Sequence, residues 1–398
     1  MKKVSVVKCK DYNKEELKSA LDKCMKNIGG LGKYIRPDDR VLIKPNLLLG
    51  AQPEKGVTTH PVFLEALIEL LSSFTDRSRI VIADSPGAGI PYNTENLEKV
   101  YKTTGIFQMA ERIGCILNFD TTYNSYSLKE GNIIKQVDVI KPYFEADKII
   151  NVPKFKTHDL MSLTGAVKNM FGLIPGFEKV GHHLRFTQLD NFAEMLLDIV
   201  LNLKPTINIM DGILGIEGDG PGMSGTPREI GIIMASRNAI SMDALSAHFV
   251  RLDSQLFPLL KIAQKNGMEE AYLENIEIIG DVKKDFEISN FVLPKGIGRK
   301  DLISNKFINT YLMPWVRNFL NPYPYVIDKK CTLCETCQKV CPHNAINIRR
   351  GKVQFDYNKC LRCFCCSELC PEGAINIKYS WIGNLLFNRF GLAGKKSK

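Results

Sequence analysis

The chain has 398 residues with a formal net charge of +10, of which 44% are hydrophobic and 24% charged. These values are ordinary for a globular protein of two or three domains, and without a nucleic-acid-binding motif the charge does not indicate a nucleic-acid partner. Residues 1–10 are too rich in lysine for a signal peptide and no apolar run is long enough to span a membrane, so we expect a cytoplasmic protein.

Strand-like apolar runs alternate with helical periodicity from residue 1 to about 295. The pattern predicts strands at 41–43, 79–83, 147–152, 207–210 and 229–234, and helices at 61–74, 94–114, 187–203 and 238–250. Such alternation is typical of an α/β domain with a mainly parallel sheet. Because ligands of these sheets bind beyond the carboxyl ends of the strands, the residues that follow each strand are the candidates for a site.

Polar residues follow several of the predicted strands. Lys44 and Asn46 follow the first strand, Asp84 follows the second, and Asp211 follows the strand at 207–210. A parallel sheet brings these strand ends to one edge, where mixed charges favour an anionic ligand. They are equally consistent with a salt-bridge network, and both Lys-Pro-Asn and Asp-Ser-Pro-Gly are good turn sequences.

A short basic run follows the predicted strand at 147–152. In an extended segment Lys154, Lys156 and His158 point to one side, because side chains alternate along a strand. Three cations on one side repel each other unless they are solvated or paired with an anion. We therefore predict an anion site here, which Lys168 can join from a following helix; the alternative is a solvated edge.

The segment 212–225 is predicted to be a loop that contains six glycines together with Glu217 and Asp219. Glycines at this density allow the backbone to approach a ligand closely. The two acids would repel a phosphate unless a divalent metal lay between them, so a divalent metal is a candidate cofactor of the N-terminal domain. The segment matches neither the Walker pattern nor the dinucleotide fingerprint, and we predict no nucleotide.

Six stretches of the N-terminal part together resemble the family called domain of unknown function 362. They are Lys44–Asn46, Thr58–Pro61, Asp84–Gly87, Val152–His158, Gly165–Asn169 and Asp211–Gly218. The resemblance covers about 1–290 and implies a domain that is often fused to a ferredoxin. It implies no activity and no catalytic residues. We place this domain at 1–295 and a helical linker at 296–323.

The sequence C-x2-C-x2-C-x3-C-P occurs twice, from Cys331 and, 29 residues later, from Cys360. Three thiolates at this spacing wrap one [4Fe–4S] cluster, while the fourth ligates the other cluster in two-cluster proteins. A doubled run of this kind is typical of neither structural zinc nor a disulfide framework. The predicted ligand sets are Cys331, Cys334, Cys337 and Cys370 for cluster 1, and Cys360, Cys363, Cys366 and Cys341 for cluster 2.

Residues 324–380 resemble a bacterial-type ferredoxin domain with two [4Fe–4S] clusters, which implies a small α+β fold. One departure is Cys365, an extra thiol beside Cys366. Aligning the repeats places Cys366 opposite Cys337, so we predict that Cys366 is the ligand and that Cys365 is a small buried residue. Thiolate ligands require a reducing compartment.

The last segment, 381–398, is basic and aromatic. Such a tail can lie on an anionic membrane surface, but we favour the alternative that it packs back on the ferredoxin domain and ends in solvated lysines.

Three functions are consistent with this organisation. The first is an iron–sulfur oxidoreductase that acts on an anionic small molecule bound by the N-terminal domain. The second is an electron carrier whose N-terminal domain is a docking module, and the third is a non-redox enzyme or assembly factor with structural or sensing clusters. Because a ferredoxin alone needs only about 55 residues, the large additional domain favours the first. The partner is a redox protein or a small-molecule acceptor, and the sequence does not determine the oligomeric state.

Overall fold

A computed structural model describes residues 1–296 and 322–378. Most of the predicted linker at 296–323 and the whole tail at 381–398 lie outside the described residues. The N-terminal strands are β1 (Lys2–Lys8), β2 (Val41–Lys44), β3 (Ile80–Ile82), β4 (Ile116–Leu117), β5 (Tyr123–Ser127), β6 (Gln136–Ile140), β7 (Lys148–Asn151), β8 (Lys154–His158), β9 (Ser162–Leu163), β10 (Ile207–Gly218), β11 (Gly225–Ser236) and β12 (Ile276–Gly280). The helices are α1 (Lys14–Asn27), α2 (Pro61–Leu71), α3 (Thr94–Thr103), α4 (Ile106–Ile113), α5 (Pro142–Glu145), α6 (Gly165–Asn169), α7 (Gly176–Arg185), α8 (Leu189–Leu203), α9 (Ala239–Phe249) and α10 (Pro258–Lys265).

One ten-stranded mixed sheet organises the N-terminal domain, with the order β12-β1-β11-β10-β7-β2-β3-β4. Strand β8 pairs with β10 beside β7, and β9 pairs with β8. The pairs β2/β3, β2/β7, β3/β4, β7/β10, β8/β10 and β1/β12 are parallel, while β1/β11, β10/β11 and β8/β9 are antiparallel. The predicted α/β class with a mainly parallel sheet is confirmed.

Helices cover both faces of this sheet, so its strands are apolar on both sides. In β1, Val4 and Val6 join the core that α8, α9 and α10 cover, whereas Val7 joins the core that α1, α2 and α3 cover. In the part of the chain that the structure describes, no helix is long and apolar enough to cross a membrane.

The prediction of a glycine-rich loop from residue 212 is wrong. Strand β10 continues through Gly218 and forms a hairpin with β11, in which Gly218 is opposite Gly225. Phe155 of β8 packs so closely on the other side that a Cβ at Gly215 would collide with its carbonyl oxygen. Glycines of this segment therefore permit strand pairing and close packing. The predicted helix 94–114 is also two helices, because Gly105 adopts a left-handed conformation with φ +74° between them.

The C-terminal domain repeats one small unit. Its elements are β13 (Tyr323–Val326), α11 (Thr336–Lys339), β14 (Ile346–Arg349), β15 (Lys352–Phe355), α12 (Cys365–Glu368) and β16 (Ile375–Lys378). Strands β13 and β16 form one antiparallel pair, and β14 and β15 form another. Both pairs and both short helices agree with the small α+β domain expected from the sequence.

Candidate functional site

Two cavities in the C-terminal domain are lined by cysteines from both repeats. The first encloses about 340 Å³ and is lined by the set Cys331, Cys334, Cys337 and Cys370. The second encloses about 370 Å³ and is lined by Cys341, Cys360, Cys363 and Cys366, with Cys365 beside them. Each cavity thus contains three cysteines of one motif and the last cysteine of the other, which is the arrangement that crossed ligation requires.

The backbone of the two cysteine loops is shaped alike. Left-handed residues occur at Leu333, Glu335 and Asn344, and again 29 positions later at Arg362, Phe364 and Gly373. Such conformations are unfavourable for most side chains, so their recurrence indicates that both loops are held in one shape. The last cysteine of each motif accepts a backbone hydrogen bond, from Ala345 N at 3.3 Å and from Ala374 N at 3.2 Å. Apolar side chains complete both cavities, a surrounding suited to iron–sulfur clusters.

The two loops differ in their surroundings. Residues 332–335 of the first loop are exposed, whereas residues 362–370 of the second are buried apart from a partly buried Cys363. The second loop packs against the N-terminal domain, where Cys365 contacts Ala88 and Val180. Cys365 is therefore buried, as predicted, in an apolar contact between domains.

The interface between the domains is close-packed. A Cβ at Gly87 would lie 2.7 Å from Leu369 Cδ2, and one at Gly222 would collide with the backbone carbonyl of Glu368. The Ser224 hydroxyl donates a hydrogen bond to the Ile375 carbonyl at 3.1 Å. Because the contact is this tight, a cavity that lies between the domains has fixed walls.

Such a cavity lies at the strand ends and encloses about 480 Å³ of space between atoms, part of it open to solvent. Its charged lining residues are Lys44, Asp84, Lys156, Lys168, Lys179 and Glu368. Glu368 comes from α12 of the C-terminal domain, and the other five come from the N-terminal domain. The cavity therefore combines four lysines and two carboxylates from both domains.

Hydrogen bonds among polar side chains fix one wall of this cavity. Lys44 Nζ lies 2.8 Å from Asp84 Oδ1, and both side chains are buried. The Asn46 amide donates to Asn169 Oδ1 at 2.8 Å, and Asn169 donates to Asn151 Oδ1 at 2.7 Å. This chain of amides joins β2, α6 and β7, because each asparagine follows or ends its element. It leaves Asn46 Oδ1 free to accept from Lys156.

The lysines of the cavity differ in how many of their N–H groups are used. Lys179 Nζ donates to three oxygens at 2.6–2.8 Å, namely the carbonyl and hydroxyl oxygens of Ser85 and the carbonyl oxygen of Pro86. Lys156 Nζ donates to Asn46 Oδ1 at 2.7 Å and to Val57 O at 2.8 Å. In residues 1–296 and 322–378, Lys168 has no hydrogen bond or ion pair, and the hydroxyl of buried Thr164 has no partner either.

Burial changes the protonation of several groups here. It lowers the pKa of Lys179 to about 7, against the opposing effect of Asp84, and it lowers the pKa of His183 to about 3. Burial also lowers the pKa of Lys168 and Lys156 and raises that of Glu368. All these shifts disfavour charge inside the cavity. An anion bound near the lysines would oppose the shifts of the lysines, although it would raise the pKa of Glu368 further.

Five of the nine residues predicted for the N-terminal site line this cavity, namely Lys44, Asn46, Asp84, Lys156 and Lys168. The other four do not. Lys154 and Asp211 form a buried ion pair at 2.6 Å. The Tyr12 hydroxyl lies 2.8 Å from both partners. Glu217 accepts from Val292 N at 3.1 Å. Lys154 thus does not join Lys156 at the predicted anion site, because a carboxylate on β10 neutralises it.

His158 lies behind the cavity and contacts Glu368 across the domain interface. His158 Nδ1 faces the backbone N–H groups of Leu160 and Met161, so the proton of the neutral ring lies on Nε2. Nε2 is 3.2 Å from Glu368 Oε1, although the two are not aligned for a strong hydrogen bond. His158 therefore packs against the carboxylate of the other domain and does not itself line the cavity.

Thr164, Lys179, His183 and Glu368 line the cavity but were not among the predicted residues. Lys179 and His183 lie on α7, a helix that no strand-end pattern marks. Comparison of the two repeats could have identified Glu368, because it occupies the position equivalent to Lys339, 29 residues later. The first copy has an exposed lysine there, and the second has a buried acid.

Comparison with known proteins gives two family matches. Residues 41–248, just over half of the chain, match the family described as "Domain of unknown function (DUF362)". Residues 323–371 match the family described as "4Fe-4S dicluster domain". A thylakoid-associated protein of Synechocystis sp. is 29% identical over 276 residues, which cover 69% of this chain and 82% of that protein.

Proposed function

The chain belongs to the DUF362 family and carries a 4Fe-4S dicluster domain, and we propose that it is a ferredoxin-coupled oxidoreductase. Its substrate in this proposal is an anionic small molecule held in the cavity between the domains. The iron–sulfur domain supports a role in electron transfer, and the lysine-lined cavity supports the choice of this place as the substrate site.

The observation that carries the proposal is the position of α12. This single helical turn, Cys365–Glu368, contains the predicted ligand Cys366 and ends two residues before Cys370, a predicted ligand of the other cluster, and its Glu368 lines the anion cavity. The predicted cluster ligands and the cavity therefore share one short element. A ferredoxin that served only as a carrier would have no need of a polar cavity on this helix.

We propose that the cysteines hold two [4Fe–4S] clusters in the crossed sets that line the two cavities. The donor sets are suitable because each has four thiols in an apolar surround, and bound clusters would supply one-electron transfer. The chain's contribution is to exclude water, to donate backbone N–H groups to Cys341 and Cys370, and to position Glu368. We propose no divalent metal, because Asp219 is paired with Lys295 at 2.9 Å.

The N-terminal residues then have distinct tasks. Lys168 and Thr164 bind the anion, since their donors are unused in the described chain. Lys156 is oriented by Asn46 and retains one N–H group for the ligand. The pair Lys44–Asp84 keeps the wall rigid, so the substrate is oriented by groups that do not need to move.

One observation favours a second candidate, an electron carrier. The exposed first loop, residues 332–335, is accessible to a protein partner whereas the second loop is not. In the carrier function this exposed loop would serve both uptake and delivery of electrons, and the N-terminal domain would be a docking module. In the oxidoreductase this exposed loop would serve only the exchange of electrons with the redox partner.

Anaerobic reoxidation separates the two functions. The purified chain is reduced with dithionite, the excess is removed, and reducible anions (2-oxo acids, fumarate, nitrate and sulfite) are added while the visible absorbance is followed. We expect one class to reoxidise the chain, and to do so at least about tenfold more slowly in Lys168→Met, because a buried charge contact is lost. Lys129→Met, at an exposed lysine, is the matched control.

Equal iron and sulfide content must be verified in all three proteins. If no anion reoxidises the chain, while a protein acceptor does so equally in Lys168→Met, the carrier function is correct and the oxidoreductase proposal fails.

A further inference from the structure

The charges that line the interdomain cavity are not balanced by the chain's own carboxylates. Four lysines face two acids, and one of those acids, Asp84, is already paired with Lys44. The other acid, Glu368, has its Oε1 3.2 Å from His158 Nε2 and forms no ion pair with a lysine among the described residues. When every lysine is protonated, four formal positive charges face two negative ones; burial disfavours this state in the empty cavity, and a bound anion would stabilise it.

The unused hydrogen-bond donors lie with this excess charge. An ammonium group has three N–H donors, so Lys168 has three to offer and Lys156 has one. The hydroxyl of Thr164, a residue only 3% exposed, adds another donor without a partner. Lys179 offers none, because three oxygens of Ser85 and Pro86 surround its ammonium group. Asp84 Oδ1 and Glu368 Oε1 of the same cavity also lack hydrogen-bond partners, but the unused donors outnumber these two acceptors. The donors therefore suit a ligand with several acceptor oxygens.

From this charge and donor count we infer that the cavity binds a dianion, a small molecule that carries two negative charges on oxygen atoms. Lys168 provides the main contact, and Lys156 and Thr164 assist it. The inference rests on the proposed function, because it names the class of the anion. Dicarboxylates and phosphate compounds share this chemistry.

The remaining wall is suited to a short carbon skeleton. Leu47, Leu48, Ala88 and Phe171 line the same cavity as the lysines. Part of the cavity is open to solvent, so a ligand held there need not be fully enclosed. The cavity thus offers lysines for the charged groups of the ligand and apolar side chains for its carbon skeleton.

The negative charge of the predicted clusters is the competing explanation for the lysines. Lys168 lies near Cys365 of the second loop, so its charge acts on that loop as well. Charges that served only the clusters would not need unused donors directed at a cavity. The two explanations predict different results when anion affinity and reduction potential are measured in a Lys168 variant.

Isothermal titration of the anaerobically purified chain tests the inference with three probes. Succinate and butyrate have the same carbon skeleton but two charges and one charge, and inorganic phosphate represents the phosphate compounds. We expect succinate or phosphate to bind at least about tenfold more tightly than butyrate, because a dianion offers more acceptor oxygens to Lys168, Lys156 and Thr164 than a monocarboxylate does. Which of the two dianions binds distinguishes a dicarboxylate site from a phosphate site.

Lys168→Met should reduce dianion affinity at least about tenfold and bring it close to that of butyrate. Lys129→Met should leave all affinities unchanged, and the visible spectrum verifies that both variants retain their iron–sulfur content. Equal affinity for succinate, phosphate and butyrate would overturn the dianion inference while the anion site of the proposed function stands. If none of the probes binds, and Lys168→Met lowers the reduction potential of the chain, the lysines serve the clusters and both proposals fail.

Discussion

Replacement of Lys179 by methionine should change the pH dependence of stability in a defined direction. Burial lowers the pKa of Lys179 from 10.5 to about 7. The unfolded chain therefore binds a proton between these two pH values that the folded chain does not bind. Stability consequently rises with pH over this window, and the cost of burying the charge is present in full only below pH 7.

The magnitude follows from the two pKa values. Their difference of about 3.5 corresponds to about 5 kcal/mol at 1.36 kcal/mol for each pKa unit. Lys179→Met removes this cost but also removes contacts with three oxygens of Ser85 and Pro86, each worth about 1 kcal/mol. The variant should therefore be at least as stable as the wild type at pH 6 and less stable by about 3 kcal/mol at pH 10.

Anaerobic thermal unfolding, followed by circular dichroism at pH 6 and pH 10, measures this reversal. A domain of about 300 residues has an unfolding entropy of about 0.6 kcal/mol/K, so 5 kcal/mol corresponds to a relative change of about 8 °C in Tm. Lys129→Met, at an exposed lysine, should show no such reversal. A difference between Lys179→Met and wild type that stays constant from pH 6 to pH 10 would refute the reasoning.

Three further predictions concern the cysteines and the buried ion pair. Cys334→Ala and Cys370→Ala should each reduce the iron content from about eight to about four atoms. The double variant should also retain about four, because the two residues are predicted to ligate the same cluster. A double variant with almost no iron would exclude crossed ligation. Cys365→Ser should retain about eight atoms of iron, since Cys366 is the predicted ligand, and a loss of half would show that Cys365 binds iron. Lys154→Ala should destabilise the chain by about 3–5 kcal/mol, because Asp211 is left buried without its cation. It should leave the affinity for succinate and phosphate unchanged. Thermal unfolding measures the first effect, and isothermal titration measures the second.

The sheet could be predicted from the sequence because its strands are apolar on both faces and end at polar residues. The strand predicted at 147–152 is found at Lys148–Asn151, and the strand predicted at 79–83 is found at Ile80–Ile82. The extent of β10 could not be predicted, because its glycines also satisfy the requirements of a loop. Only the neighbouring strands β8 and β11 decide between loop and strand, and those pairings are distant in sequence.

The candidate site was predictable only in part. Lys44, Asn46 and Asp84 were identified because the ends of parallel strands share an edge. Lys154 has the same local pattern as Lys156, and what separates them is Asp211, 57 residues away, on the neighbouring strand. Lys179 and Glu368 reach the cavity through the packing of α7 and of the second domain, which no local pattern encodes. Long-range contacts therefore decide which polar residues face the ligand.

The short length of α12 has a practical consequence. An iron–sulfur cluster held at Cys366 would absorb visible light, and its paramagnetic reduced state would be sensitive to charges nearby. Glu368, two residues away, faces the cavity, so an arriving anion would change the electric field at that chromophore. A cluster held by the first loop, whose residues 332–335 are exposed, would respond less. The molecule would thus contain its own optical and magnetic reporter, with which unlabelled metabolites could be screened for binding before any reaction has been identified.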